Sequence, residues 1–287
     1  MSPTSSTRYL VTGAGGMLGT DLLRALAGRD VVAAPRSSLD VTDAAAVSDA
    51  VEGIDVIINA AAYTKVDDAE VHEADAYAIN AVGAFTLATA AAHRGAILVQ
   101  LSTDYVFDGA AASPYAEDTP RHPVSAYGRT KAEGERLALE ANPRTYIVRT
   151  AWLYGEHGSN FPKTMLRLAK EQETIDVVAD QIGQPTWTAD LAGRIVAMLD
   201  ASAPTGIYHG TNSGSASWFD FATAVFELAG FDPARVKPTD STQFLRPALR
   251  PAYSVLGHEG WQRAGLAPMR GWREALRDAF YTGALGA

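Results

Sequence analysis

The stretch Tyr9-Leu10-Val11-Thr12-Gly13-Ala14-Gly15-Gly16-Met17-Leu18-Gly19 decides the fold. An apolar, β-branched run leads into a glycine cluster, and residues 18–27 follow with apolar side chains at spacings of three and four. Strand, tight turn and amphipathic helix in that order begin a βαβ unit. Gly13 and Gly16 permit the turn and a close approach by a ligand, and Gly19 lets the helix lie near the strand. Backbone N–H groups at the helix start face outward, where a pyrophosphate can be held because no side chain blocks it.

The same alternation continues outward from this segment. Strands are expected at 9–12, 31–34, 56–59, 98–102 and 146–150, separated by helices at 18–27, 44–51, 74–92 and 126–141. Parallel strands need such crossover helices, which cover both faces of the sheet. The expected fold class is therefore α/β, a doubly wound, Rossmann-like parallel sheet. Past Thr150 the rhythm changes to loops rich in Gly, Pro, Ser and Asn. The expected division is a dinucleotide-binding domain over 1–150 and a mainly substrate-binding region over 151–287, with some segments returning to the first. Ser217 before an apolar run that stops at Gly230 marks a capped helix, and residues 272–281 read as a closing helix.

Composition narrows the function. With 47% hydrophobic and 20% charged residues, the 287-residue chain is an ordinary globular protein. A net charge of -9 argues against nucleic acid and anionic membrane surfaces as partners. Having no cysteine, the chain lacks disulfides, thiolate metal sites and a cysteine nucleophile. The six histidines show no helical pair at metal-ligand spacing, so no catalytic metal is expected. Residues 1–7 lack the pattern of an export signal and no apolar run is long enough to span a bilayer, so the expected location is the cytoplasm.

Tyr127-Gly128-Arg129-Thr130-Lys131 puts a phenol and an ammonium on one helix face, a turn apart. A free tyrosine titrates near ~10, so a neighbouring cation is needed to favour its phenolate near neutrality. In a carbonyl reduction the phenol delivers a proton to oxygen as hydride reaches carbon, and a nearby hydroxyl, here Thr103, steadies that oxygen. The glycine turn, Ser102-Thr103 at a strand end, and Tyr127 with Lys131 on the next helix converge on one cleft at the carboxyl edge of a parallel sheet. The second strand ends in Pro35-Arg36 where NAD sites carry an acidic residue, so the cofactor is NADP(H) or NAD(H), with Arg36 favouring NADPH through its 2′-phosphate. Arg246 and Arg250 suit a bidentate clamp on a substrate diphosphate, although surface ion pairs also explain them. Asn80 suits a hydrogen bond to main chain or water near Lys131.

The ordered set Thr12-Gly13-x-x-Gly16-x-x-Gly19, Asn59-Ala60-Ala61-Ala62-Tyr63-Thr64, Ser102-Thr103-Asp104-Tyr105-Val106-Phe107-Asp108-Gly109 and Tyr127-x-x-x-Lys131 resembles the dTDP-4-dehydrorhamnose reductase family of extended short-chain dehydrogenases/reductases. The likeness continues through Arg149-Thr150-Ala151-Trp152-Leu153-Tyr154, Asp180-Gln181-x-Gly183-x-Pro185-Thr186 and Arg246-Pro247-Ala248-x-Arg250-Pro251. It implies NAD(P)H-dependent reduction of dTDP-4-dehydro-L-rhamnose to dTDP-L-rhamnose. By the same resemblance, Gly16, Met17 and Leu18 border the pyrophosphate, Asp40 and Val41 lie by the adenine, and Ala62, Tyr63 and Thr64 line the ribose and nicotinamide. Tyr127 becomes the proton donor, Lys131 binds the nicotinamide ribose and lowers the Tyr127 pKa, and Thr103 tunes it. Thr103, Asp104 and Trp152 touch the sugar nucleotide.

Plain alternatives stand beside these roles. Asp40 is also expected as a helix cap, and Trp152 as core. The expected partner is a small nucleotide sugar, and the sequence leaves a homodimer open. Two rival functions remain: an epimerase or dehydratase of the same fold, and a non-catalytic subunit like the regulatory subunit of methionine adenosyltransferase. Thr103 is followed by Asp104 and Tyr105 rather than by an Asp-Glu pair, which favours reduction over elimination.

Overall fold

The computed structural model describes residues 7–286. Residues 1–6, most of the stretch read above for an export signal, lie outside the described residues. The first half follows the expected alternation: β1 (Arg8–Thr12), α1 (Met17–Ala25), β2 (Asp30–Ala34), α2 (Ala44–Ala50), β3 (Val56–Asn59), α3 (Glu73–Tyr77), α4 (Gly83–Arg94), β4 (Ile97–Thr103), α5 (Ala126–Ala141) and β5 (Thr145–Thr150).

These strands and a later one, β10, form a six-stranded sheet in the order β2-β1-β3-β4-β5-β10, parallel throughout. Successive strand residues point to opposite faces, and both faces are buried. Val11, Ile58, Val99 and Val148 meet Leu18 and Leu22 of α1 on one side. Leu10, Ile57, Leu98 and Ile147 meet Val47 of α2, Leu87 of α4 and Ala138 of α5 on the other. The chain runs from β1 outward to β2 and returns on the other side of β1 as β3, so the crevice beyond the carboxyl ends of β1 and β3 is the topological switch point.

The helix expected at 74–92 is divided. Between α3 and α4 the backbone makes a π turn over Ala78–Val82. Asn80, buried on this turn, ties two other parts of the molecule together. Its Oδ1 accepts from Tyr63 N–H at 2.9 Å, and its Nδ2 donates to Tyr63 O at 3.1 Å and to Thr130 Oγ1 at 3.0 Å. A regular 3.6-residue turn would aim this side chain elsewhere.

The second half comprises β6 (Leu153–Tyr154), α6 (Phe161–Glu171), β7 (Ile175–Val178), β8 (Ile182–Gly183), β9 (Thr186–Trp187), α7 (Thr188–Asp200), β10 (Gly206–His209), β11 (Ala216–Ser217), α8 (Trp218–Leu228), β12 (Val236–Thr239), α9 (Glu259–Arg263) and α10 (Trp272–Tyr281). Two of its segments belong to the large sheet: β10 adds beside β5, and Leu191, Ile195 and Met198 of α7 join the α1 side of the core. The remainder builds a separate core in which α6, α8 and α10 bury Met165, Phe221, Val225 and Leu276 with Ile175 and Val177 of β7. Ser217 caps α8 in a reciprocal capping box with Asp220, and Gly230 follows the helix with a φ of +76°. Among the described residues no helix is long and apolar enough to cross a membrane.

Beneath the sheet edge, His209 on β10 is fully buried; Arg149 lies 3.3 Å from its Nε2, and its Nδ1 lies 2.8 Å from Gly257 O. Burial first, then the Arg149 charge, push its pKa down from 6.5 to about 3, so it is neutral in the fold. As pH falls below 6.5 the unfolded chain gains a proton that the folded chain refuses, and the stability present above 6.5 is lost on the way to 3. The loss is about 2 kcal/mol between pH 7 and pH 5 from this residue alone. His209→Gln offers an acceptor to Arg149 and a donor to Gly257 without titrating. Urea unfolding at the two pH values is expected to show a drop smaller by about that amount in the variant.

Candidate active site

A cavity of about 800 Å³ lies at the switch point, lined by Gly13, Gly15 and Gly16 after β1, by Pro35 to Ser37 and Leu39 to Thr42 after β2, and by Ala60 to Tyr63 after β3. Backbone crowding explains the glycines. Gly13 has a φ of +66°, and a Cβ there would stand 2.6 Å from the Ala60 main chain. A Cβ on Gly19 would stand 2.2 Å from Gly13 O, so a side chain would lift α1 off the turn. The first helical bond runs from Thr20 N–H to Gly16 O, which leaves the N–H groups of Met17, Leu18 and Gly19 ahead of the ladder. For Met17 and Leu18 the useful group is therefore the main chain, because the Leu18 side chain is in the core.

Of the residues expected to hold a dinucleotide, Gly13, Gly16, Arg36, Asp40, Val41, Ala62 and Tyr63 line this cavity. Thr64 does not; it is exposed just beyond it. Arg36 is exposed at the mouth beside Ser37. Asp40 accepts from Thr42 N–H at 2.9 Å and Thr42 Oγ1 at 2.7 Å, and these bonds hold its pKa below the usual carboxylate range. The cap of α2 is Asp43, which accepts from Ala45 N–H and Ala46 N–H. The shape and the N–H groups fit a dinucleotide.

Next to this cavity α5 begins. Ser125 caps it by accepting from Gly128 N–H at 3.1 Å, and Glu70 accepts from Ala126 N–H at 2.8 Å. Tyr127 and Lys131 are both buried on its inner face against the end of β4. Lys131 Nζ donates to Leu101 O at 2.6 Å. Burial, opposed by Glu135, pushes its pKa down to about 8, so it keeps its charge at neutral pH. The Tyr127 phenol is pushed up to about 12 by burial, with Thr103 opposing and Asp104 reinforcing the shift. It is thus fully protonated at neutrality, the form a proton donor needs. Asp104 is buried, and desolvation raises its pKa to about 6.

A second cavity has a volume of about 690 Å³, and Thr103, Asp104, Tyr127 and Lys131 line neither cavity directly. The edge of Tyr105 bridges the two regions, its ring 5.6 Å from that of Tyr127. Arg246 and Arg250 both line the second cavity, with Arg250 paired to Asp67 at 2.8 Å. The opposite wall is apolar, from Phe161, Met165, Leu168 and Trp218. Trp152 does not line it directly. Its ring stacks on Trp218 with centroids 3.5 Å apart and planes within 7°, and its own φ is +45°, a left-handed value rare outside glycine. Sequence reading missed Asp67, Tyr105, Phe161 and Trp218, because the segments that carry them are brought together only by tertiary packing.

The chain matches the family model described as the RmlD substrate binding domain over residues 7–284. It is 52% identical over 289 residues to a dTDP-4-dehydrorhamnose reductase of Streptomyces griseus, covering 98% of this chain and 95% of that one. It is 53% identical over 278 residues to a "probable dTDP-4,6-dihydroxy-2-methyloxan-3-one 4-ketoreductase" of Streptomyces antibioticus, covering 95% and 94%. Among solved structures, a dTDP-4-dehydrorhamnose reductase of Bacillus anthracis in complex with NADP superposes with a TM-score of 0.92 at 42% identity, covering 96% of this chain and 99% of that one.

The aromatic stack is open to direct test. A Cβ on Gly183 would lie 2.5 Å from the Trp152 ring. Gly183→Ala is therefore expected to push Trp152 off Trp218. Circular dichroism should show loss of the coupled-indole signal with the helical signal unchanged, and an intact couplet would refute the packing described.

Proposed function

The chain belongs to the RmlD substrate binding domain family, and from that premise we propose that it is an NADPH-dependent oxidoreductase. It reduces the 4-keto group of dTDP-4-dehydro-L-rhamnose to give dTDP-L-rhamnose, with Tyr127 as proton donor. The observation that carries this reading is a buried, protonated Tyr127 in one cluster with Tyr63, which lines the cavity fitted to a dinucleotide, and with Tyr105, which lines the cavity that has two arginines and an aromatic wall. Residues 1–150 are assigned to the cofactor and 151–287 mainly to the sugar nucleotide, with β10 and α7 returned to the large sheet.

Gly13, Gly16 and the N–H groups of Met17, Leu18 and Gly19 would hold the pyrophosphate, Asp40 and Val41 the adenosine side, and Ala62, Tyr63 and Thr64 the nicotinamide side. Arg36 at the cavity mouth provides a cation for a 2′-phosphate, the reason for preferring NADPH. When bound, the nicotinamide supplies a hydride to the keto carbon. Tyr127 gives its proton to the keto oxygen in the same step and is left as phenolate. Lys131, buried and cationic one turn along α5, favours that phenolate and would bind the nicotinamide ribose. Arg246 and Arg250 offer planar donors to the diphosphate. Thr103 and Asp104 would lie towards the sugar, and Trp152 would act through its stack on Trp218, which lines the cavity.

The Streptomyces antibioticus relative, named for a different dTDP-linked keto sugar, supports a second reading in which the same reduction is applied to a related 6-deoxy sugar. Following NADPH absorbance with each substrate decides between them. With the right keto sugar one NADPH is consumed per product formed. Tyr127→Phe is expected to lower kcat by about 10²–10⁴-fold with NADPH affinity retained. Arg36→Ala should raise the KM for NADPH about two- to fivefold and leave NADH unaffected. A wild-type chain that binds NADPH but consumes none with any dTDP-linked keto sugar would instead indicate a non-catalytic binding subunit.

A further inference from the structure

Asp67 puts a carboxylate into a cavity that carries two guanidinium groups for an anion, where a bare negative charge would repel the ligand. It lines that cavity beside Arg246 and Arg250. Both of its oxygens are committed to one short stretch of chain: Oδ2 accepts from Arg250 Nη2 at 2.8 Å, and Oδ1 from Ala248 N–H at 3.3 Å. That stretch has little else to hold it. Leu245 is 89% exposed and Leu249 67%, and between Leu245 and Pro251 the hydrogen bonds that tie the strap to other segments of the described chain end on Asp67. Arg250 Nη1 donates within the strap, to Ala248 O at 3.2 Å.

The loop that carries Asp67 is held far more firmly. Before it, the Tyr63 main chain is bonded to Asn80, and the Tyr63 phenol donates to Asp68. Val66 packs in the cluster of Tyr63, Tyr105 and Tyr127, Ala69 is fully buried, and Glu70 accepts from Ala126 N–H at the start of α5. The loop is thus pinned on both sides of Asp67.

We propose that Asp67 is a positioning residue for the substrate diphosphate: from this pinned loop it holds the Arg250 guanidinium and the Ala248 main chain, so that Arg250 meets the diphosphate already oriented. The role rests on the reading of the second cavity as the site of the sugar nucleotide. Nη1 and Nη2 each give one N–H to the contacts above, which leaves the other N–H on each and the Nε–H for a ligand. An arginine side chain loses rotational freedom when it clasps a ligand, and ordering it beforehand removes that cost from the affinity. Repulsion by the carboxylate acts in the opposite sense. The Asp67 and Arg250 side chains are 33% and 22% exposed, so solvent screens that repulsion and the ordering prevails. Removing Asp67 therefore weakens diphosphate binding, whereas repulsion alone would make removal strengthen it.

Calorimetric titration of the full chain, NADP⁺ bound, with dTDP tests the sign in two backgrounds. Asp67→Ala is expected to weaken dTDP binding about three- to tenfold when Arg250 is present. With Arg250→Met, a long side chain without donors, the same change is expected to leave affinity within about twofold or to tighten it, since only repulsion remains. Unchanged or tighter binding in Asp67→Ala alone overturns the proposal, and so does equal weakening in both backgrounds, which would be an effect on the loop and not through Arg250. Unchanged dTDP affinity in Arg250→Met overturns it as well. Should Asp67→Ala not fold, Asp67→Asn, of the same shape without the charge, is read in the same backgrounds against the same outcomes. In turnover, the KM for the keto sugar should rise with the loss of dTDP affinity, while kcat and the KM for NADPH change less than about twofold. If the titrations behave as expected while wild type consumes no NADPH with any dTDP-linked keto sugar, the reductase reading fails and the positioning role stands; normal turnover with contrary titrations means the reverse.

Discussion

Glu135 of α5 and Arg149 of β5 form an ion pair that is about 1% exposed on both sides, and the site is assembled around it. Two such charges cost several kcal/mol to bury, and the structure offsets this by leaving almost no polar atom of the pair unmatched. Arg149 Nε and one terminal nitrogen reach the two Glu135 oxygens at 2.9 and 2.8 Å, and the other terminal nitrogen donates to Glu117 O at 3.1 Å and to His209 Nε2 at 3.3 Å. Neutral His209 is then a proton donor at Nδ1, towards Gly257 O. Ser102, the residue before Thr103, donates to Glu135 at 2.5 Å. One pair therefore fixes the end of β4, the inner face of α5, β5 and β10 relative to one another. These are the elements that present Thr103, Tyr127 and Lys131.

The same pair makes the charge of Lys131 affordable. An ammonium under the sheet edge faces a desolvation penalty, and Glu135, one helical turn further along α5, is the group that opposes it. Arg149 neutralises the rest of that carboxylate's field, so the helix face carries an ordered sequence of phenol, ammonium and paired carboxylate at positions 127, 131 and 135. Asn80 locks the opposite edge of the face by joining Thr130 to the Tyr63 main chain. The loop at Tyr63 and the helix that carries Tyr127 are thus held by one amide, and the π turn in the middle of an otherwise regular helix has a structural reason.

Much of this was legible in the sequence where local chemistry dictates local form. The strand at 56–59 and the helix at 126–141 fall where apolar periodicity puts them, and the glycine turn is required by contacts within its own βαβ unit. The helix at 74–92 reads as continuous because Asn80 and its neighbours have no propensity that marks a π turn; the cause is a side chain reaching segments 17 and 50 residues away. The four-residue strand at Gly206–His209 is too short to stand out, and its place beside β5 comes from the sheet. Arg149 was visible only within a motif of resemblance, since its partners Glu135, Glu117 and His209 come from separate elements. The Trp152 indole packs on Trp218, whose side chain lines the cleft, and does not itself line it.

A chain of net charge -9 can still offer local groups suited to an anion, because field and contact differ. At physiological ionic strength exposed charges are screened beyond about 8 Å, so the overall negative sign weakens long-range attraction but does not decide affinity within a cleft. There the relevant groups are few and placed: the main-chain N–H groups ahead of α1, Arg36 at one mouth, and Arg246 and Arg250 in the other. Arg250 is held by Asp67, so its guanidinium is ordered before any ligand arrives, at the expense of sharing its charge. An anion entering that cavity meets a carboxylate and two guanidiniums together, and only one that accepts in the guanidinium plane gains more than the carboxylate already supplies. Such an arrangement favours a planar, bidentate acceptor over a single negative charge, and it requires no positive surface.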